Sequence, residues 1–358
     1  MARSPESGTA VEDVDLPPTG VGEVRVRVAA AGVCHSDLSM VNGTLAPTFP
    51  LVLGHEAAGV VTEVGAEVGR ARPGDHVVLN WAPACRQCWF CEHGEPWLCV
   101  HGMKPSVPRG ALADGTPAHA TLGVGALAEE VLVRENAVLP VPAELPLEAA
   151  ALLGCAVLTG FGAVRSTASV RPGESVAVIG LGGVGLSVVA AARAAGADPI
   201  VAIDVSDAKR ELARAAGASE FVGTSDALSK EVRALTGGIG VDHAFECVGR
   251  ATTIRSAWRL TRRGGTCTIV GIGARDDMVE FSAAELYHMA RTLRSSVYGS
   301  SDPDTDLPEL AAAVLGGAFD PNVLVTHRVT LDEAPAAFDR MTRGEGARTL
   351  VIFAPDSR

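Results

Sequence analysis

No run of lysine or arginine occurs anywhere in this sequence, and its 30 basic residues are outnumbered by 42 acidic ones, for a net charge of −12. That balance argues against a surface built for nucleic acid or anionic membrane, and it is neutral toward an enzyme acting on small molecules. The opening stretch, "MARSPESGTAVEDVDLPPTG", lacks an apolar core of signal-peptide length. No later run of about 18 uncharged apolar residues lacks glycine breaks and helix-capping signals. The expected compartment is therefore the cytoplasm, with no membrane partner. Internal repeats and a low-complexity tail are missing too. What is present is a globular composition, 47% apolar and 20% charged, over 358 residues. That length is too great for one ordinary core and suits two domains or one large one.

Residues 22 to 80 read as β-rich: "GEVRVRVAAAGVC" alternates, "GVVTEVG" is a strand ending in a turn, and "PGDHVVL" is a turn entering a strand. From the cysteine-rich segment to about residue 118 the chain is rich in proline and glycine and is expected to be irregular, with a strand resuming at "AEEVLV". Near residue 146 the character changes. "PLEAAALLGCAVLTGFGAV" reads as a small-residue helix. From 175 onward the apolar runs "SVAVIG", "PIVAID", "VDHAFEC", "GTCTIVG" and "LRSSVYG" are separated by helix-like stretches around 183–195, 206–216, 228–235 and 250–261. Apolar runs without alternation, interleaved with helices, predict a parallel sheet covered on both faces. After residue 300 the order is helix, strand, helix, strand, in "DLPELAAAVLGG", "LVTHRVT", "DEAPAAFDRMTRG" and "RTLVIF".

The stretch "SVAVIGLGGVGLSVVAAARAAGADPIVAID" carries Gly180-x-Gly182-x-x-Gly185. Alone, such spacing is weak in a chain with 40 glycines. Here it follows an apolar strand, opens an alanine-rich helix and precedes a second strand ending in Asp204, which is the context a dinucleotide site requires. Gly180 permits the tight turn, Gly182 lets backbone approach a pyrophosphate, and Gly185 allows close helix–strand packing, with the free N–H groups of the helix start facing the anion. Asp204 lies 24 residues after Gly180, where a carboxylate accepts from ribose hydroxyls and repels a 2′-phosphate, favouring NAD over NADP. Its competing role is a helix N-cap before "SDAKREL".

Four cysteines stand in "CRQCWFCEHGEPWLC", residues 85 to 99. A disulfide knot, an active site and a metal clamp all fit such a cluster. A reducing compartment weakens the first, since cytosolic cysteine clusters are more often metal sites. Elsewhere stand "GVCHSD", with Cys34, His35, Ser36 and Asp37; "GHEAAGVVTEVG", with His55 and Glu56; and "LLGCAVLTG", with Cys155. Singly, each reads as a buried cysteine or a structural histidine.

Taken together, from about Gly22 to Phe353, these segments resemble a zinc-dependent alcohol dehydrogenase of the medium-chain dehydrogenase/reductase superfamily. The resemblance rests on the Cys-x-Ser-Asp segment, the Gly-His-Glu whose histidine follows that cysteine by 21 residues, the Cys-x2-Cys-x2-Cys-x7-Cys lobe, a Gly-Cys before the nucleotide-binding region, and GLGGVG. It implies an α/β fold: a β-rich, GroES-like catalytic domain over 1–156 with a zinc lobe at 85–99, a Rossmann NAD-binding domain over 157–297, and a return to the catalytic domain over 298–358. It also implies two zinc ions per chain, a catalytic one on Cys34, His55 and Cys155 and a structural one on Cys85, Cys88, Cys91 and Cys99. Zinc chemistry fits that division independently, because four thiolates form a closed tetrahedral site and three protein ligands leave a position open. Cys247 and Cys267 remain, and both read as core residues of strands.

By the same resemblance Ser36 takes the alcohol proton and hands it to the nicotinamide ribose, Asp37 orients His55, and Glu56 lies behind the zinc and assists ligand exchange. His35 and Arg348 are expected near the pyrophosphate, Thr159 and Val184 against the nicotinamide, Lys209 near the adenosine ribose, and Val270, Ile272 and Tyr298 around the carboxamide. Gly183 and Val184 complete the glycine loop. For Arg348, in "GARTLVIF", a surface charge before a strand is the competing role. Leu45 and Trp81 align with pocket-lining positions and make the cleft apolar.

The sequence also departs from the family pattern. Ser39 occupies the place of a relay histidine, so no relay histidine is expected. The stretch between Cys99 and Cys155 is short, with small residues in "LGVGALAEE", so the cleft is expected to be more open there. Leu45 stands where the formaldehyde-processing branch has an acidic residue, which argues against glutathione adducts. The expected activity is hydride transfer between NAD and a primary alcohol or aldehyde, aromatic or longer-chain. A dedicated biosynthetic reductase of a carbonyl or activated alkene is the alternative. A binding protein without turnover is disfavoured by the intact ligand trio and Ser36. Pairing of subunits through the "LRSSVYG" edge gives an expected homodimer.

Overall fold

The computed structural model describes residues 1–5, 7–104 and 106–353. The chain separates into two compact units, Met1–Cys155 with Asp302–Arg358, and Ala156–Ser301. The first unit contains β1 (Glu23–Val33), β2 (Leu51–Val52), β3 (Glu56–Val64), β4 (His76–Leu79), β5 (Ser106–Ala111), β6 (Pro117–Thr121), β7 (Glu130–Arg134) and β8 (Val138–Pro140). The second contains β9 (Val176–Ile179), β10 (Ile200–Asp204), β11 (Glu220–Gly223), β12 (Val241–Glu246), β13 (Thr261–Ile269) and β14 (Thr292–Ser295). The chain then returns to the first unit with β15 (Val325–Val329) and β16 (Arg348–Ile352).

In the first unit a seven-stranded sheet runs β15-β16-β1-β3-β4-β8, with β7 also on β1, beside a three-stranded sheet β2-β6-β5. The sequence of β1 explains its central place. Val24, Val26 and Val28 point inward while Arg25 and Arg27 stay half-exposed, the period-2 pattern of a one-sided strand. The alternation then gives way to Ala30–Val33, buried at every position. Antiparallel pairing with β3 sets Gly32 opposite Glu56, so the end of β1 and the start of β3 lie side by side. Val24, Val26, Met40, Leu51, Leu53 and Phe338 anchor the core of this unit, each full burial of such a side chain being worth about 1.5–3 kcal/mol. The stretch expected to be irregular up to residue 118 instead forms the β5–β6 antiparallel pair. Its proline and glycine sit in and around short strands that no alternation advertises.

The second unit is a parallel six-stranded sheet in the order β11-β10-β9-β12-β13-β14. Its central strands are apolar on both faces, as in "VAVI" of β9 and "IVAID" of β10, where every residue is buried. Ile203, Trp258, Cys267 and Val232 fill the core. The sheet has one more strand than the apolar runs predict, because β11 has the short, mixed sequence "EFVG". Between β8 and β9 runs a helical segment, Leu147–Ala168, apolar and long enough by composition to cross a membrane. Its most apolar window is 83% buried inside the protein, which accounts for that hydropathy as core packing.

Candidate active site

Cys34 ends the extended run of β1 and caps the helix His35–Val41, with φ −119° and ψ 150°. His55 directly precedes β3, so the β1–β3 register brings these two residues together although 21 positions separate them. Cys155 comes from the π-helical turn Leu153–Val157, a local widening of the helix of a kind frequent at functional sites. The donor atoms of Cys34, His55 and Cys155 all lie within 4.8 Å of one another, and Cys155 Sγ is 3.3 Å from His55 Nε2. All three side chains are buried.

Asp37 Oδ1 is 3.2 Å from His55 Nδ1 and also accepts the Gly54 N–H at 2.8 Å. That carboxylate fixes the imidazole so that Nε2 faces the sulfurs. Burial alone would lower the His55 pKa, but the charges of Asp37 and then Cys34 outweigh it and hold the ring well above its ordinary range. Cys34 lies well below the thiol range, chiefly through a hydrogen bond from Cys155, whose own thiol is raised by that bond and by burial. Two buried sulfurs beside an oriented imidazole make a soft, electron-rich pocket. Two thiolates and one imidazole leave a fourth tetrahedral direction free, which is the donor set of a catalytic zinc.

Behind the trio, Glu56 and Arg348 form a buried pair, Oε2 to Nη2 3.3 Å, and Arg348 Nη1 donates to the Val33 carbonyl at 2.9 Å. Burial, with Cys34 adding to it, pushes the Glu56 carboxyl up to about 7 against the pull of Arg348. Ser36 Oγ stands 3.9 Å from Cys34 Sγ. The Trp81 ring meets His55 edge-on, centroids 6.0 Å apart, and forms an apolar wall beside the trio.

The lobe gathers Cys85, Cys88, Cys91 and Cys99, again with sulfurs within 4.8 Å of one another and Cys88 to Cys91 at 3.5 Å. A zinc–sulfur bond of about 2.3 Å places tetrahedral sulfurs about 3.8 Å apart, so the cage has the right size. Backbone N–H groups of Cys91 and then Val100 pull the Cys88 thiol down to about 6, toward the thiolate a metal needs. Arg86 ties the lobe to the helix Pro303–Leu315, donating from both terminal nitrogens to Asp302 at 2.6 Å, with Asp304 and Arg70 completing the network.

In the second unit, Gly180 has φ +89°, and a Cβ on Gly185 would lie 1.8 Å from the Gly180 carbonyl, so only glycine permits that packing. At Gly182 a Cβ would meet nothing within 4 Å, leaving open the cradle a phosphate requires. The helix Gly183–Ala194 starts there, with its first N–H groups lacking intrahelical partners. Asp204 accepts from the Leu181 N–H at 2.8 Å and the Ser206 N–H at 2.9 Å, and pairs with Lys209 at 3.3 Å. Its carboxylate thus braces the glycine loop as well as closing the second strand.

Residues 20–143 match the alcohol dehydrogenase GroES-like domain, and residues 183–315 match the zinc-binding dehydrogenase domain. S-(hydroxymethyl)glutathione dehydrogenase of Escherichia coli O1:K1 is 36% identical over 366 residues, covering 99% of this chain and 98% of that protein. The chain belongs to the zinc-dependent alcohol dehydrogenases. Solved members of similar shape include an alcohol dehydrogenase zinc-binding domain protein from Burkholderia ambifaria (TM-score 0.89, 33% identity, 99% and 97% of the two chains). Benzyl alcohol dehydrogenase from Acinetobacter calcoaceticus is equally close in shape (TM-score 0.89, 28% identity, 98% and 97%).

As a zinc-dependent alcohol dehydrogenase the chain is an oxidoreductase whose cofactors are zinc and a nicotinamide dinucleotide. One unit of this alcohol dehydrogenase gathers Cys34, Ser36, Asp37, His55, Glu56, Trp81, Cys155 and Arg348. Leu45 packs, partly buried, on the core of that unit, and His35 is exposed at the head of its helix. The other unit holds the glycine loop, Asp204, Lys209, Val184, Thr159, Val270, Ile272 and Tyr298. Thr159 and Tyr298 lie together, since a Cβ on Gly299 would meet the Thr159 carbonyl at 2.9 Å. Ile272 is 54% exposed in the loop three residues past the end of β13. Arg348, expected at the pyrophosphate or on the surface, is buried and engaged with Glu56 and Val33. The Arg86–Asp302–Asp304 tie has no motif, because its partners lie 216 and 218 residues apart. Another buried acid, Glu246, follows an apolar run and reads in sequence only as a strand end.

Proposed function

We propose that this alcohol dehydrogenase transfers hydride between NAD and a primary alcohol or its aldehyde, with an aromatic or longer-chain apolar substrate. The observation that carries the reading is the buried Cys34–His55–Cys155 trio with Trp81 standing edge-on at 6.0 Å. Bound at that trio, zinc supplies Lewis acidity toward the substrate oxygen, and the dinucleotide supplies the hydride acceptor or donor. Ser36, beside Cys34, takes the hydroxyl proton, and Asp37 keeps the proton of His55 on Nδ1 so that Nε2 stays free as a ligand. Trp81 and Leu45 exclude water and select apolar substrates. Cys85, Cys88, Cys91 and Cys99 hold the second zinc as a closed clamp and take no part in the chemistry.

NAD is favoured over NADP because Asp204, buried at the end of β10, would repel a 2′-phosphate. The cytoplasm is its proposed compartment. A homodimer is supported by β14, whose four residues are all exposed at the sheet edge, with Leu293, Leu286 and Tyr287 exposed around it.

A thiol adduct of formaldehyde is the second reading, favoured by the 36% identity to S-(hydroxymethyl)glutathione dehydrogenase and opposed by Leu45 in place of an acid. The decisive experiment is a panel of alcohols, aldehydes and S-(hydroxymethyl)glutathione with NAD and NADP, read at the absorbance of the reduced cofactor. Benzylic and longer primary alcohols are expected to lead, with NAD preferred by about tenfold or more. A zinc-loaded protein that turns over none of the panel overturns the proposal. Preference for the glutathione adduct selects the second reading.

A further inference from the structure

Glu246, the last residue of β12, is completely buried, and no ion pair to it occurs among the described residues. Its carboxylate is satisfied by its own loop instead. Oε1 accepts from the Val248 N–H at 2.9 Å, the Gly249 N–H at 2.8 Å and the Thr253 hydroxyl at 2.7 Å, and Oε2 accepts from Gly249 at 3.1 Å. Its main-chain carbonyl receives the N–H groups of Val270 and Gly271, at 2.8 and 3.0 Å. The next residue, Cys247, donates its N–H to Ile179 at 2.9 Å, immediately before the glycine loop.

Three loops therefore meet at this residue: the one after β9, the one after β12 and the one after β13. The second and third meet backbone to backbone, and the first meets the Val248 side chain. A Cβ on Gly249 would lie 2.3 Å from the Ile272 carbonyl, one on Gly271 would lie 2.2 Å from the Gly249 nitrogen, and one on Gly180 would lie 2.4 Å from Val248 Cγ2. With no slack between them, a shift of the Val248–Gly249 turn moves both the glycine loop and Ile272. The sheet order β11-β10-β9-β12-β13-β14 reverses direction between β9 and β12. The crevice beyond the carboxyl ends of the strands at that switch point is where open α/β sheets bind ligands. Glu246 stands at its floor.

We propose that Glu246 is a positioning residue for the dinucleotide: its carboxylate fixes the Val248–Gly249 turn, and through it the phosphate loop and the Val270–Ile272 segment, in the geometry that binds the cofactor. The assignment rests on the reading that the glycine loop holds NAD. Two N–H donors and a hydroxyl converging on one carboxylate are charge-assisted hydrogen bonds, so a neutral side chain there loses strength as well as count. In Glu246→Gln one acceptor oxygen becomes an NH2 group, which finds no acceptor in the Val248 and Gly249 N–H groups and can pair with Thr253 only if that hydroxyl turns its proton to the Arg250 carbonyl, 2.9 Å away.

The test uses the full-length zinc-loaded enzyme. NADH affinity is measured by fluorescence, zinc content by metal analysis, and melting temperature with and without NADH. Glu246→Gln is expected to raise the NADH dissociation constant about tenfold, to keep both zinc ions, and to shrink the rise in melting temperature that NADH produces. Thr253→Val, which removes a single donor, is expected to weaken NADH by about threefold and remains informative if Glu246→Gln does not fold. A role in stability alone would lower both melting temperatures equally and leave NADH affinity unchanged. Unchanged affinity in a folded Glu246→Gln, or in Thr253→Val if only that variant folds, overturns the assignment. A wild-type enzyme that binds no NADH overturns the underlying reading instead.

Discussion

Single carboxylates do the bracing in this protein, each by a different arrangement of donors. Asp37 orients a ligand, Glu56 sits against a buried arginine, Asp204 and Glu246 hold loops, and Asp242 joins the foot of the parallel sheet. Asp242 accepts from the Ser175 N–H and hydroxyl at 2.8 and 2.6 Å and from Arg262 Nε at 2.6 Å. Burial raises its pKa, but the Ser175 hydrogen bonds and then Arg262 outweigh that and leave it below the usual carboxylate value. A lowered folded-state pKa means stabilisation present above the unfolded-state value and lost as pH falls through the folded one. Asp242→Asn is therefore expected to cost about 1–3 kcal/mol at neutral pH, by denaturant titration. The deficit relative to wild type should shrink as the pH drops below about 3.9. A constant deficit across that range would show that charge is not what Asp242 contributes.

At the scale of elements, the densest cysteine cluster and the reactive one separate. The lobe is local: four sulfurs within fifteen residues of chain, shaped by the turn Trp89–Glu92 and tied down by Arg86. Cys88→Ser is expected to reduce zinc from two ions per chain to one and to lower the melting temperature by several degrees, while kcat at low temperature changes little. Cys34→Ser should lose the other zinc and the activity together. Metal content and kcat measured on both variants check the division, and an inactive but fully zinc-loaded Cys88→Ser would contradict it. Much of this was legible in the sequence because metal ligands and phosphate loops demand particular residue types at particular spacings, as in Cys85–Cys99 and Gly180–Gly185. The β5–β6 pair and β11 were not, since short strands with proline or glycine carry no periodicity. Nor were the partners of Arg348 and Glu246, because a buried charge is recognised by what surrounds it, and those surroundings come from other parts of the chain.

For the whole molecule, β14 offers an unpaired strand edge with apolar neighbours, and the proposed dimer covers it. Leu293→Glu is expected to shift the protein toward monomer in sedimentation velocity, because a buried charge at a symmetric interface meets its own copy. An unchanged sedimentation coefficient would place the interface elsewhere. The π-helical turn at Leu153–Val157 has a further consequence, for how chains of this kind can vary in length. Between Cys34, His55 and Cys155 lie 20 and 99 residues, and inserting or deleting chain in the loops of those intervals leaves the three side chains where strand pairing and helix packing put them. Inside the turn the opposite holds. Removing a residue between the preceding helix and Cys155 would shift Cys155 by one position, a rotation of about 100° about the helix axis and away from its partners. In the loops of those intervals the active site thus tolerates gain and loss of chain, whereas a one-residue change inside the turn, or inside the paired strands β1 and β3, displaces a ligand.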